Sequence, residues 1–167
     1  MSIVFTYKRV RFIFLIYLLL IINFVILKFT GNWLGVISRV QAIILQRNMG
    51  YWNISLNPLR TINAIFDSFQ YGGMAHELFY FFGNIVAFFP MGFLIPFLRK
   101  KSSLFNTMLS CLLIILVIEF TQFITCLGSA DIADVILNMT GCLIGYMGNR
   151  IYYKLERTFL ENRSFDN

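Results

Sequence analysis

The chain has 167 residues, of which 58% are hydrophobic and only 13% are charged, and its formal net charge is +6. Because a soluble domain usually carries about 25% charged residues, and because the apolar residues come in long blocks, the composition excludes an ordinary water-soluble domain. The basic residues stand at the ends of these blocks, as in membrane proteins, so we predict an all-α membrane protein of one domain, residues 1–167, without a nucleic-acid partner.

The first apolar block predicts a membrane span over residues 12–28. It begins after Lys8, Arg9 and Arg11, and a basic start before a single apolar run is also typical of a secretory signal peptide. The run is long for such a peptide, and bulky residues follow it in place of a small-residue cleavage site. We therefore expect an uncleaved transmembrane helix, of the kind that about 20 apolar residues form.

The longest segment between apolar blocks, residues 29–77, predicts an external loop. Within it Leu34, Ile37, Val40 and Ile44 recur at helical spacing, while the residues between them include arginine and glutamine. This pattern is typical of an amphipathic helix that lies flat at the membrane interface. A short helix packed on the bundle fits the same pattern, and the sequence does not choose between the two.

Three further blocks predict the spans 78–98, 104–125 and 131–148, which with the first block makes four transmembrane helices. Each block is close to the length that crosses the hydrocarbon layer. Pro90 lies inside the second span, where a proline removes a backbone hydrogen bond and is expected to kink the helix. Ser103 stands directly before the third span and is a favourable N-cap residue.

The distribution of lysine and arginine predicts the orientation of the chain. Ten of these residues flank the spans on the side that holds both termini and the loop between the second and third spans, whereas four lie on the opposite side. Short loops rich in lysine and arginine mark the cytoplasmic side. We therefore predict a cell-membrane protein with both termini in the cytoplasm and residues 29–77 outside.

Glu119 is the clearest candidate for a functional residue, because it lies inside the third predicted span. Burying a carboxylate in hydrocarbon costs roughly 2.5 kcal/mol or more, so such residues usually pair with another group and serve a function. At 1.5 Å per residue, Glu119 lies about 22 Å from the cytoplasmic edge, in the outer half of the membrane. Arg60 and His76 are the basic residues that can reach it from the external loop.

Other polar residues are expected at the same depth. Asp131, Asp134 and Asn138 follow one another at helical spacing on the fourth span, and Gln122 shares the face of Glu119 one turn away. The predicted ligand-binding or functional cluster comprises Arg60, Asn84, Glu119, Gln122, Asp131, Asp134 and Asn138. Two other interpretations stay open: Asp131 as a helix cap, and the amide side chains as hydrogen-bonding links between helices.

The sequence offers little for a metal or a cofactor. It holds one histidine and three cysteines at separated positions, whereas metal sites usually draw on more of these ligands, so we predict no metal, no cofactor and free thiols. Gly141 and Gly145 form a G-x-x-x-G pattern, which lets membrane helices approach closely. This pattern predicts tight packing without deciding the oligomeric state.

Three parts of the chain together resemble the VanZ family of bacterial membrane proteins. The resemblance spans about residues 57 to 146 and rests on NPLRTI at 57–62, GNIVAFFPMGFL at 83–94, and EFTQ at 119–122 followed by DIADVILN at 131–138. The chain departs from the family pattern in one respect. Relatives tend to carry a basic residue just before the Asp-x-x-Asp pair, and residues 127–130 contain none, so no local salt bridge is expected there.

The resemblance implies a cell-envelope protein, since the namesake of the family is associated with low-level resistance to the glycopeptide teicoplanin. Our first hypothesis is that the external polar cluster binds a lipid-linked or lipoglycopeptide ligand, with membrane lipids around it. A second is an intramembrane enzyme that acts on a lipid headgroup with a carboxylate acid/base pair. The sequence shows no nucleophile with a partner base, so we assign no catalytic residue. A third is an assembly partner whose carboxylates bind another membrane protein.

Overall fold

The computed structural model describes residues 7–27, 33–71, 74–99 and 103–165. In these ranges the backbone forms six α-helices, one 3₁₀ helix and a pair of two-residue strands, which confirms the all-α prediction. The elements in chain order are α1 (Tyr7–Leu27), α2 (Trp33–Asn48), β1 (Ile54–Ser55), α3 (Arg60–Tyr71), α4 (Met74–Leu94), the 3₁₀ helix (Ile95–Leu98), α5 (Leu104–Thr125), β2 (Ala130–Asp131) and α6 (Ile132–Phe165). The predicted end of the first span, residue 28, lies outside the described residues.

The segment predicted as an external loop is mostly helical. It contains the expected helix α2 and also α3, which the sequence pattern did not predict. Helix α3 follows Asn57, whose side-chain oxygen accepts a hydrogen bond from the backbone N–H of Leu59 at 3.0 Å. Ile62, Phe66 and Phe69 lie at i, i+4 and i+7, the apolar stripe of an amphipathic helix. Three residues make too short a stripe to separate a helix from a loop without the tertiary structure.

Two helices are longer than their apolar blocks predict. Helix α4 begins at Met74, so His76 and Glu77 lie in its first turn and not at the end of a loop. Helix α6 continues to Phe165, well past residue 148, where the fourth predicted span ends. A helix depends on backbone hydrogen bonds and residue propensity, so it continues beyond an apolar block when no strong helix breaker follows.

Two helical stretches in the described ranges are both long enough and apolar enough to cross a membrane. They are Met74–Leu98, which joins α4 to the 3₁₀ helix, and Leu104–Thr125, which is α5. They match the second and third predicted spans. Protein buries only 33% and 28% of the residues in their most apolar windows. The core helix of a soluble protein is mostly buried, so these two helices need another apolar environment.

The buried core lies where α1, α4, α5 and α6 meet. Its members are Ile21, Phe88, Met91, Ile95, Cys111, Ile115 and Cys142. All three cysteines of the chain are buried and free, as the sequence predicts. Cys111 and Cys142 act as small apolar residues in this core, and Cys126 directly follows α5.

Helices α4 and α6 pack closely because glycines face the backbone of the neighbouring helix. A Cβ atom on Gly141 would overlap the carbonyl oxygen of Ile85, and one on Gly145 would overlap that of Phe89. Gly92 of α4 approaches the α6 backbone in the same way. The tight packing predicted from the G-x-x-x-G pattern is confirmed, and it occurs between two helices of one chain.

Pro90 lies inside α4 and does not end it. Its ring removes the hydrogen bond that a backbone N–H would give to the carbonyl oxygen of Val86. The hydroxyl of Tyr17 donates to the next carbonyl oxygen, that of Ala87, at 2.9 Å. This bond ties α1 to α4 where the proline weakens the helix. The kink expected at Pro90 stays a prediction.

A second proline, Pro96, has a partner on α6. In a 3₁₀ helix each carbonyl oxygen accepts from the N–H three residues later. The carbonyl oxygen of Phe93 would accept from position 96, where proline has no N–H. The side-chain amide of Asn149, which is fully buried, donates to that oxygen at 3.0 Å. Asn149 therefore supplies the donor that Pro96 cannot give to the Phe93 carbonyl, while its own buried side-chain oxygen has no hydrogen-bond partner among the described residues.

Candidate functional site

The predicted polar cluster surrounds the connection between α5 and α6. Helix α5 ends at Thr125, and the next residue, Cys126, adopts the left-handed backbone conformation with φ of 56°. Strand β2 then pairs in parallel with β1, with Ile54 opposite Ala130 and Ser55 opposite Asp131. The segment between α1 and α4 and the connection between α5 and α6 therefore form one structure at this end of the bundle.

Arginine side chains of α2 hold the end of α5 in place. Arg47 donates to the carbonyl oxygen of Phe123 and, through Nε, to the side-chain oxygen of Asn53 at 2.8 Å. Its guanidinium carbon lies 4.7 Å from the centre of the Phe123 ring, within cation–π range. Arg39 donates to the carbonyl oxygen of Leu127 at 3.1 Å. Phe123 belongs to the last turn of α5, where carbonyl groups lack the usual helical partner, and Leu127 lies in the connection that follows the helix.

Asp131 is the centre of a second set of contacts. Its Oδ2 accepts from Nη1 of Arg60 at 2.5 Å, and its Oδ1 accepts from the backbone N–H of Ala133 at 2.9 Å. The backbone N–H of Asp131 donates to Oε2 of Glu119 at 3.4 Å. Asp131 thus caps α6 and also forms an ion pair. Arg60 supplies from α3 the basic partner that residues 127–130 lack.

Tyr80 joins α4 to the start of α6. Its hydroxyl donates to Oδ1 of Asp134. Asn84 lies one turn later on α4, and its side-chain amide donates to the carbonyl oxygen of Tyr80 at 3.0 Å. Asn84 and Asp134 are only 6% and 2% exposed. The structure therefore places two of the predicted residues around a tyrosine that the sequence did not single out.

Gln122 and Asn138 are also buried but occupy different places. Gln122 lies against Gly128, where its side-chain nitrogen would be 3.1 Å from a Cβ atom at the glycine. Asn138 follows Asp134 by about one turn of α6. Its side-chain oxygen has no hydrogen-bond partner in the part of the chain that the structure describes. Gln122 therefore packs on the α5–α6 connection, and Asn138 extends the polar face of α6 along the bundle.

A cavity of about 720 Å³ lies between α2, α3, the start of α4 and the α5–α6 connection. Charged and aromatic side chains of its wall are those of Arg39, Arg60, Glu77, Asp131, Trp52 and Tyr80. Of the predicted cluster, Arg60 and Asp131 line the cavity, whereas Glu119 is linked to the wall through the backbone of Asp131. The buried carboxylate of Glu119 therefore supports the wall without forming it.

Arg39, Asn53 and Tyr80 take part in this arrangement, and the sequence interpretation missed them. Arg39 and Arg47 are eight residues apart, which places them within about a quarter turn of each other on α2. This spacing indicates, from the sequence alone, that the two arginines lie on one face of the helix. Burial lowers the pKa of Arg39 below its usual value, as expected for a guanidinium that faces protein. No local pattern distinguishes Tyr80 from the other aromatic residues of α4.

The side chains of the site are suited to binding a polar group. They present guanidinium donors, held by hydrogen bonds, and carboxylates to one open cavity. In the described ranges no group of three or more histidine, cysteine, aspartate or glutamate side chains is arranged to hold a metal ion. His76 lines the cavity beside Glu77, with its ring nitrogen 3.3 Å from the carboxylate.

Comparison with known proteins identifies the family of the chain. A scan of family profiles matches residues 14–153 to the family described as VanZ/LLP1. The matched range includes every residue of the predicted cluster and of the cavity wall. Neither the search of curated proteins nor the search of solved structures found a match.

Proposed function

We propose, from the premise that this chain belongs to the VanZ/LLP1 family, that it is a multi-pass membrane protein that binds the polar head of an amphiphilic ligand. In this proposal α1, Met74–Leu98, α5 and the first half of α6 are the four transmembrane segments. Both termini are cytoplasmic, and α2 and α3 lie at the external surface. The cavity between these two helices and the bundle is the binding site.

Exposed apolar side chains support α1 and the first half of α6 as the other two transmembrane segments. Leu15 and Leu19 of α1 are 52% and 69% exposed, and Ile136 and Met147 of α6 are 46% and 57% exposed. Apolar surface in contact with water is unfavourable, and a lipid environment removes that cost. The hydroxyl of Tyr17 also ties α1 to α4, a helix that is itself apolar enough to span.

Helices α2 and α3 direct apolar side chains away from the protein. Leu34 and Ile37 of α2 are 76% and 52% exposed, and Phe66 and Phe69 of α3 are 69% and 76% exposed. Arg39 of α2, in contrast, bonds to the α5–α6 connection. Amphipathic helices with this division of residues lie in the plane of the membrane interface. We therefore place their apolar faces in lipid and the cavity at the level of the headgroups.

The cavity is the observation that carries the proposal. Its volume of about 720 Å³ falls in the range of roughly 300–1,000 Å³ typical of small-ligand sites. It is large enough for the head of a lipid-linked ligand or for one part of a lipoglycopeptide, whose acyl chain would stay in the lipid. Capture of such a ligand outside the membrane would give the protein a role in the cell envelope, including lower sensitivity to teicoplanin.

The two other hypotheses have less support. An assembly partner needs carboxylates available for a basic residue of another protein, but Asp131 is paired with Arg60 and Asp134 accepts from Tyr80. An intramembrane enzyme built on Glu119 needs that carboxylate at the ligand, and Glu119 does not belong to the cavity wall.

Blocking the cavity tests the proposal without changing a charge. Ala64 of α3 lines the cavity, and Ala64→Trp would fill part of it. We expect the binding of teicoplanin to the purified protein in lipid nanodiscs to weaken about tenfold or more, which corresponds to a loss of about 1.4 kcal/mol. Gln70→Trp, at an exposed position of the same helix outside the cavity wall, is the matched control and should bind like the wild type.

Two further readouts make the test decisive. Ala64→Leu is a smaller obstruction and should weaken binding less than Ala64→Trp does. In medium that contains teicoplanin, cells that express Ala64→Trp should grow less than cells that express the wild type, and cells that express Gln70→Trp should grow equally well. If Ala64→Trp unfolds at the wild-type temperature and binds teicoplanin equally well, the cavity is not the binding site.

A further inference from the structure

Charges of both signs face the same cavity. Arg39 and Arg60 contribute guanidinium groups, and Glu77 and Asp131 contribute carboxylates. Asp131 and Arg60 form the ion pair described above, whereas Arg39 and Glu77 come from different elements, α2 and the first turn of α4. A ligand in this cavity therefore meets a positive and a negative region of the wall.

The positive region is held in a fixed geometry. Arg39 is anchored to the carbonyl oxygen of Leu127 at 3.1 Å, and Arg60 is anchored to Asp131 at 2.5 Å. A planar guanidinium matches the oxygen atoms of a phosphate and binds them in bidentate fashion. Anchoring the side chain in advance lowers the entropy that binding would otherwise cost. This side of the cavity suits a phosphate group.

The negative region lies at the start of α4. Glu77 stands in the first helical turn, where the helix dipole favours a negative charge. Its side chain is 28% exposed, with the ring of His76 at 3.3 Å. This side of the cavity suits an ammonium group.

Building on the proposed function, we infer that the cavity binds the headgroup of a zwitterionic phospholipid, with its phosphate at Arg39 and Arg60 and its primary ammonium at Glu77. A purely anionic headgroup would bring no positive charge to Glu77, and a cationic headgroup would face two guanidinium groups. The zwitterion matches both regions, and complementarity of this kind determines specificity. The acyl chains lie in lipid beside the apolar faces of α2 and α3.

Two lipids with identical acyl chains test the inference. Phosphatidylethanolamine carries a phosphate and an ammonium group, and phosphatidylglycerol carries the phosphate alone. We expect the purified full-length protein in detergent, given equal amounts of both, to retain more phosphatidylethanolamine by native mass spectrometry. Glu77→Gln should lower the ratio of the two lipids several-fold, whereas Glu77→Asp, which keeps the charge, should preserve it. Arg39→Gln should lower retention of both lipids about tenfold.

Matched controls and the blocked cavity separate this inference from the proposed function. Glu161→Gln and Arg157→Gln alter an exposed ion pair of α6 and should leave retention unchanged. Equal retention of the two lipids by the wild type, or an unchanged ratio in Glu77→Gln, would overturn the inference. The proposed function still stands in that case if Ala64→Trp loses both lipids and teicoplanin. If Ala64→Trp is folded and retains all three ligands, both proposals fail.

Discussion

Asp131 connects three parts of the chain through one buried residue. Its side chain is 3% exposed and accepts from Arg60 of α3 and from the first turn of α6, while its backbone N–H donates to Glu119 of α5. A buried carboxylate that loses its partner is strongly destabilising, although the pair itself adds little net stability. The pair therefore determines where α3 docks more than how stable the protein is.

Removing the arginine from this pair should destabilise the protein. Arg60→Met keeps most of the side-chain volume but leaves Asp131 buried without its counter-charge. We expect the free energy of unfolding to fall by about 1–2 kcal/mol, less than for a fully buried pair, because the Arg60 side chain is 56% exposed and solvent already screens it. Chemical unfolding in detergent, followed by circular dichroism, measures the difference.

The exposed pair of α6 provides the control for this experiment. Arg157→Met removes an arginine that is 82% exposed and bonded to Glu161, and a surface pair of this kind contributes about 0–1 kcal/mol. The double variant Arg60→Met with Asp131→Asn should recover part of the stability, since no buried charge remains. Equal losses for the two single variants would contradict the role given to the Arg60–Asp131 pair.

At the scale of elements, the contact between α4 and α6 organises the bundle. Gly141 and Gly145 bring the α6 backbone against the carbonyl groups of α4, and the side-chain amide of Asn149 donates to the carbonyl oxygen of Phe93. These contacts lie on one side of α6, and Asp134 at its start meets Tyr80 of the same neighbour. The close packing therefore aligns the polar residues of α6 with those of α4.

Adding one methyl group at this contact should separate the helices. A Cβ atom at position 145 would overlap the backbone oxygen of Phe89, so Gly145→Ala forces α4 and α6 apart. We expect a loss of about 1–3 kcal/mol in unfolding free energy, visible as a lower thermal unfolding midpoint. Gly148→Ala is the matched control, because its Cβ would meet only side-chain ring atoms of Phe89 and Phe93, the nearest at 3.3 Å, and no backbone atom.

Helix propensity sharpens this comparison. Replacing glycine by alanine in a helix stabilises it by up to about 1 kcal/mol, and this gain applies to both positions. Gly148→Ala should therefore be neutral or stabilising, and Gly145→Ala should be destabilising despite the same gain. Similar thermal unfolding midpoints for the two variants would contradict the close approach of α4 and α6.

For the whole molecule, the arginines on the proposed external side have structural partners. Arg39, Arg47 and Arg60 donate to carbonyl oxygens or to a carboxylate at the α5–α6 connection. They are three of the four basic residues that the sequence places on that side. The positive-inside rule concerns basic residues in short flanking loops. When these three arginines are set aside, the remaining lysines and arginines lie almost all on the side of the termini. Their distribution therefore favours cytoplasmic termini more strongly than the count of all lysines and arginines does.

The proposed orientation predicts which positions a membrane-impermeant reagent reaches. Asp67 of α3 and Asn162 near the end of α6 are exposed, and all three native cysteines are buried, so background labelling should be low. An impermeant maleimide should label Asp67→Cys in intact cells and Asn162→Cys only after permeabilisation. The unsubstituted protein serves as the control. Labelling of both positions from the same side would contradict the four-span topology.

The sequence by itself determined the features that depend on local pattern. Long apolar blocks predict helices wherever the chain folds, because each block can satisfy its own backbone hydrogen bonds and needs an apolar environment. Glu119 and Asp131 could be recognised because a carboxylate at these positions needs a partner. The motif segments identified the family, and the glycine spacing predicted close packing. Helix α3 was missed because its apolar stripe is short.

Only the tertiary structure decided which groups meet. Arg60 and Asp131 are 71 residues apart, Tyr80 and Asp134 are 54 apart, and Arg39 bonds to a carbonyl 88 residues away. Such pairs depend on how helices dock, and docking depends on the combined shape of surfaces from separate parts of the chain. For the same reason the cavity, which needs α2, α3, α4 and the α5–α6 connection together, has no counterpart in any single stretch of sequence.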